Sequence, residues 1–237
     1  MWENTKEQQD DPLTDLRLSM LEAEPLIDVP DSAAESLRQM LAQLGRNGML
    51  PERLSVVAAL REEGVTFISQ ALAALIAHDY GTKVCLVDLN WWWPSDHLRM
   101  ADARGGLAAV LNGKLPLDEA LVYSGWPQLS ILPAGRLEQY ERPVVARSQG
   151  LRDVLDDLAS QFDHLILDIP ALLATSDAVP LASNGTMTCL VVRQGVTGIE
   201  DVRPALDKIQ HLPLAGVILN RVRISTPGPL VRLFADR

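Results

Sequence analysis

Apolar residues along this chain fall into short unbroken runs rather than alternating with polar ones. Leu54–Ala59, Lys83–Asp88, Leu129–Leu132, His164–Asp168, Thr188–Val192 and Ala215–Leu219 each read as a strand with both faces covered. Between them lie segments with helical spacing: Thr66–His78, Leu107–Leu111, Leu151–Phe162, Asp177–Ala182 and Ile199–His211. A further helix starts at Asp31-Ser32, a capping pair, carries Glu35 in its first turn, and runs to about Leu44. Strand and helix alternate, which predicts a doubly wound, mostly parallel α/β sheet flanked by helices. Ligands of such sheets bind beyond the carboxyl ends of the strands, so the positions just after each strand carry the functional information.

The pattern divides the chain into three parts. Residues 1–31 are acidic and polar with prolines at 12, 25 and 30, and read as a mobile tail holding one short helix. Residues 32–222 form the α/β domain. Residues 223–237 form a C-terminal tail in which Leu230, Leu233 and Phe234 would share one helical face. No internal repeat or low-complexity stretch interrupts this order.

Composition narrows the function classes. The 237 residues carry a formal charge of −10, which argues against general nucleic-acid binding. No apolar run approaches the ~18 residues of a transmembrane helix, and the acidic N-terminus is unlike a secretory signal. Cys85 and Cys189 sit in apolar strands and read as buried free thiols of a reducing cytoplasm. His78, His97, His164 and His211 show no metal-ligand spacing.

The loop Leu60-Arg61-Glu62-Glu63-Gly64-Val65-Thr66 joins the first of these apolar strands to a helix. A phosphate-binding loop has this context and ends Gly-Lys-Ser/Thr; here the ending is Gly64-Val65-Thr66, without the lysine. Two other strands end in carboxylates, Asp88 and Asp168, and the last ends Leu219-Asn220-Arg221. An aspartate there is either a turn residue or, beside a phosphate loop, a holder of magnesium or its water.

These motifs in this order resemble the cytoplasmic tyrosine-kinase-like ATPases of bacterial capsule and exopolysaccharide synthesis. That group belongs with the MinD/ParA-like division-site and chromosome-partitioning ATPases, and the resemblance spans Ser32 to Val222. The family's Pro-Gly-Glu-Gly-Lys-Ser/Thr aligns with Arg61 to Thr66, its Asp-x-Asp-Leu-Arg-Arg-Pro with Asp88 to Pro94, and its Asp-x-Pro-Pro with Asp168 to Ala171. Smaller echoes are Leu132-Pro133-Ala134-Gly135, Val192-Arg193-Gln194-Gly195 and Leu219-Asn220-Arg221-Val222. Glu35-Ser36-Leu37-Arg38 resembles part of the family's self-association motif, with Leu41 in place of its last arginine.

The resemblance implies a P-loop NTPase fold and a nucleotide site holding Gly64, Thr66 and Asn220. Thr66 and Asp168 would hold magnesium, and Asp88 and Asp168 would serve catalysis in an active enzyme. Against that template the lysine is Val65, a glycine is Glu62, the second carboxylate is Asn90, and two arginines are Trp92 and Trp93. The C-terminal tyrosine cluster of the kinases is also missing, since the three tyrosines are Tyr80, Tyr123 and Tyr140. Glu62 and Glu63 would set two carboxylates against phosphate oxygens, at roughly 4 kcal/mol per close pair in an intermediate dielectric.

The expectation is therefore a catalytically degenerate relative, working by protein contact in polysaccharide synthesis or export, in the cytoplasm or on the inner face of the membrane. No cofactor is expected, and ATP or ADP with magnesium would be held weakly. Its contact surfaces would be Glu35, Arg38 and the triplet Trp91-Trp92-Trp93, which either fills the space of a lost nucleotide or anchors a partner. The alternatives are an active ATPase or kinase with an atypical loop, and a MinD-like membrane adaptor acting through Leu230, Leu233 and Phe234.

Overall fold

A computed structural model describes residues 17–19, 25–45, 50–94 and 105–222. Two short strands, β1 (Arg17–Ser19) and β2 (Pro25–Asp28), pair antiparallel, with Leu18 opposite Ile27. The short helix expected in the N-terminal tail is not among the described residues of that segment, and residues 1–16 and 20–24 lie outside the described residues. A two-strand ladder satisfies backbone groups that neither segment satisfies by itself, and Pro25 sits at a strand start where its missing N–H costs little.

Helix α1 (Asp31–Gly45) follows, then β3 (Arg53–Ala58), α2 (Val65–Tyr80) and β4 (Val84–Asp88). Next come α3 (Gly106–Leu111), α4 (Leu117–Ala120), β5 (Val122–Tyr123) and β6 (Leu129–Leu132). The chain continues through α5 (Arg142–Val145), α6 (Gln149–Ala159), β7 (His164–Asp168) and α7 (Ala178–Ala182). It closes with β8 (Met187–Arg193), α8 (Ile199–Ile209) and β9 (Leu214–Asn220). The main sheet has seven strands in the order β5-β6-β4-β7-β3-β8-β9. Only β5 runs antiparallel to its neighbour. This is the doubly wound sheet expected from the sequence. The additions β5, α4 and α5 are too short to carry a period.

A core lies on each face of the sheet. On one, α2 is buried continuously from Ile68 to Ala77, its alanines allowing close approach. Helix α1 covers it with Ala34, Leu37 and Leu41, a helical stripe. Arg38 Nε donates to Asp79 at 2.7 Å and ties α1 to the end of α2. On the other face α6 contributes Leu151, Leu155 and Leu158. Cys85 and Cys189 are buried free thiols, and burial pushes the Cys189 thiol up to about 12. Among the described residues no helix is long and apolar enough to cross a membrane. Strand β9 departs from the expected coverage: Leu214, Val217 and Leu219 are exposed along this edge.

Candidate functional site

Register sets the site. Residues Asp88 and Asp168 are direct partners across β4 and β7, and Val56 of β3 faces Asp168 from the other side. The loops after β3, β4 and β7 therefore converge at one edge of the sheet, where doubly wound folds hold ligands.

The loop after β3 is fastened from below by its own glutamate. Glu63 is 1% exposed. Its Oε2 accepts the Leu60 N–H at 2.7 Å, and its Oε1 accepts the Arg193 N–H at 3.2 Å and the Thr197 hydroxyl. Asn220 at the end of β9 donates Nδ2–H to the Glu63 carbonyl at 2.8 Å and accepts the Arg221 N–H on Oδ1 at 2.8 Å. Gly64 has φ 96°, and a Cβ there would lie 2.2 Å from Asn220 Nδ2, so glycine is required by both the backbone and its neighbour. The expectation that both glutamates face the cradle is thus corrected: Glu63 points inward to backbone donors. Glu62 is exposed, with φ 66°, a left-handed conformation that costs a non-glycine residue about 1 kcal/mol.

Asp168 lies beneath this loop, 1% exposed, and neither carboxylate oxygen makes a full hydrogen bond. Burial, and next the charge of Asp88, hold its carboxyl well above the usual range; the nearby Thr66 hydroxyl relieves this in part. Asp88 Oδ1 accepts the Asn90 N–H at 2.8 Å.

Asn90 in turn builds the loop after β4. Its Nδ2–H donates to the Trp93 carbonyl and its Oδ1 accepts the Trp93 N–H, both at 3.1 Å. An aspartate could make only the second of these bonds. The loop sends its three indoles in different directions. Trp91 is 3% exposed and donates Nε1–H to the Ala134 carbonyl at 2.7 Å, so it belongs to the core and not to a contact surface, a correction to the triplet as an exposed anchor. Trp93 turns toward the phosphate loop, where the Arg61 guanidinium sits 4.5 Å from its ring centroid. Trp92 turns the other way, toward Arg142.

Between the loops is a cavity of about 210 Å³, lined by residues 60–66 with Asn90, Trp93, Ile169 and Ala171. That is below the ~300–1,000 Å³ usual for small-molecule sites. Arg61 is the one cationic side chain among its described lining residues, and it is stacked on Trp93. Backbone N–H groups at the start of α2 still suit an anion, and the orphaned Asp168 oxygens beside Thr66 suit a hydrated cation. In the phosphate half of the loop, Val65 carries no charge and the Glu62 side chain is exposed.

The structure thus brings together Gly64, Thr66, Asp88, Asp168 and Asn220, with Trp93 across the opening. Glu35 is exposed on α1, away from this edge, while Arg38 is committed to Asp79. Leu230, Leu233 and Phe234 lie outside the described residues. Sequence reasoning missed Thr197 and Arg193 as anchors of the loop. Their signal was the Val192-Arg193-Gln194-Gly195 echo, which places a backbone N–H at the end of β8 beside the loop.

The sequence model of the family described as "Cellulose biosynthesis protein BcsQ" matches residues 54–221. Tyrosine-protein kinase etk of Escherichia coli K12 is 28% identical over 202 residues, covering 83% of this chain and 28% of the kinase. The succinoglycan biosynthesis transport protein ExoP of Rhizobium meliloti is 27% identical over 229 residues, covering 92% of this chain and 28% of ExoP. The chain thus spans less than a third of the length of these relatives. Among solved structures, the kinase domain of Escherichia coli tyrosine kinase ETK superposes with a TM-score of 0.73 at 26% identity, covering 83% of this chain and 79% of that one. The septum site-determining protein MinD from Pyrococcus horikoshii, complexed with Mg-ADP, gives 0.58 at 22% identity over 77% of this chain and 76% of its own, a likeness of fold.

Proposed function

Because the chain belongs to the BcsQ family of cellulose biosynthesis proteins, we propose that it serves exopolysaccharide synthesis as a protein-interaction or regulatory subunit whose phosphate loop no longer handles phosphate. The observation that carries this is the charge of the loop. Val65 stands at the lysine position, Arg61 is stacked on Trp93, and Glu62 takes the place of a glycine in a left-handed conformation. The loop is nonetheless held by Glu63 and Asn220, which supports a scaffold kept for its shape. The relatives include bacterial tyrosine kinases and a succinoglycan transport protein, which supports a place beside polysaccharide machinery at the cytoplasmic face of the inner membrane. Residues 32–222 would act as one domain, with the contacts made by Trp92, Trp93 and the α1 face bearing Glu35.

A second reading is favoured by one observation: the buried Asp168 carboxyl without a hydrogen-bond partner beside Thr66 and Asp88. It makes the chain a magnesium-dependent ATPase in which Thr66 and Asp168 hold the ion and Asp88 positions water. A phosphate-release assay with ATP and magnesium separates the two. No turnover is expected. Turnover that disappears in Asp168→Ala would overturn the first reading in favour of the second.

A further inference from the structure

The far side of the tryptophan loop carries a second pocket, of about 380 Å³, lined by Trp91, Trp92, Pro94, Gly135, Arg136, Leu137 and Arg142. Its floor is rigid. The Leu107 and Ala108 N–H groups of α3 bond the Pro133 and Ala134 carbonyls at 2.8 and 3.0 Å, and Ala134 also takes the Trp91 indole. Gly135, at φ 71°, lets this loop lie against α3, since a Cβ there would meet the Gly105 carbonyl at 2.1 Å. The wall is cationic. Arg142 holds the Leu137 carbonyl at 3.3 and 3.4 Å and stands 6.0 Å from the Trp92 ring centroid. Arg136 is exposed, and neither arginine has a carboxylate partner among the described residues. The nearby Glu141 carboxylate is instead taken by the Glu138 N–H at 2.8 Å. Tyr140 and Val144, beside the pocket in sequence, are 76% and 69% exposed.

Tryptophan, tyrosine and arginine around a concave apolar floor are the residue types that dominate protein-binding energetics. Arg136 and Arg142 are the charged residues among the pocket's described lining, and no acidic side chain is among them, so the lining is a positive spot on a chain of net charge −10. Such a spot takes a few carboxylates through forked hydrogen bonds, while the surrounding charge repels a long polyphosphate. We propose that this pocket docks a short acidic segment of a partner protein. An apolar side chain of that segment enters against Trp91, Trp92 and Leu137, and its aspartates or glutamates meet Arg136 and Arg142. This rests on the reading of the chain as an interaction subunit, and gives that partner its chemistry.

The test is a selection of randomised peptides displayed on phage against the whole chain, followed by affinity measurements on synthetic winners. Winners should carry acidic residues next to an aromatic or aliphatic one. Their affinity should fall at least about tenfold in Arg136→Glu and in Trp92→Ala, weaken with added salt, and persist in Thr66→Ala. The exposed Arg136 makes its variant safe for folding, and circular dichroism checks Trp92→Ala. Winners without acidic residues, or binding indifferent to Arg136→Glu, would overturn the proposal. So would displacement by inorganic phosphate, which would mark a phosphate site, or a gain in peptide affinity on deleting residues 1–16, which would mark a site for the chain's own acidic segment. Mg-ATP binding at the phosphate loop would refute the preceding proposal and leave the peptide result unchanged.

Discussion

Replacing Glu63 with alanine should destabilise the protein far more than the same change at Glu62 beside it. Glu63 is 1% exposed, and its carboxylate accepts the Leu60 and Arg193 N–H groups and the Thr197 hydroxyl. A hydrogen bond to a charged group contributes about 1.5–3 kcal/mol net, and a buried donor left alone costs about 1–3 kcal/mol. Three donors share one acceptor here and the terms are not additive, so about 3–5 kcal/mol is expected for Glu63→Ala. Glu62 is exposed, and Glu62→Ala should fall within about 0.5 kcal/mol of wild type. Urea unfolding followed by tryptophan fluorescence, with unchanged slope, reads both values. A Glu63→Ala variant within ~0.5 kcal/mol of wild type, or equal losses at the two positions, would refute the inward placement of Glu63.

Three further outcomes follow from the same geometry. Glu62→Gly should stabilise by about 0.5–1 kcal/mol, since glycine takes φ 66° without the cost borne by glutamate; calorimetric melting checks the sign. Asp168→Asn should be more stable than wild type at neutral pH, by about 1–3 kcal/mol for relief of an unpaired buried charge. The raised carboxyl makes wild-type stability fall as pH rises from the ordinary aspartate range through its elevated value, so the gap should close on acidification, as urea midpoints across pH would show. Trp91→Ala should cost about 3–5 kcal/mol, because it empties a core position and removes one of the two donors to the Ala134 carbonyl.

Long strands were legible because continuous apolar runs such as His164–Asp168 can be buried only with both faces covered. The meeting of Asp88 and Asp168 was legible for a related reason: each ends a strand, and parallel neighbours bring such ends to one edge. Side-chain direction in the loops was not. The turn to φ 66° at Glu62 sends Glu62 and Glu63 opposite ways, and nothing in the pair of letters says so. The three tryptophans look alike in sequence, yet the Asn90 bonds to Trp93 and the Ala134 bond to Trp91 place them in three surroundings. Strand β9 reads like the others because an apolar run does not reveal that it lies at the edge. Arg136 and Arg142 were silent because their pocket depends on a contact between distant loops.

In the function proposed for this chain, the phosphate loop has kept its shape and lost its chemistry. Isothermal titration of the whole chain with ATP and magnesium is the decisive measurement. No saturable binding tighter than about 1 mM is expected. A micromolar dissociation constant that requires magnesium and is abolished by Thr66→Ala would contradict it.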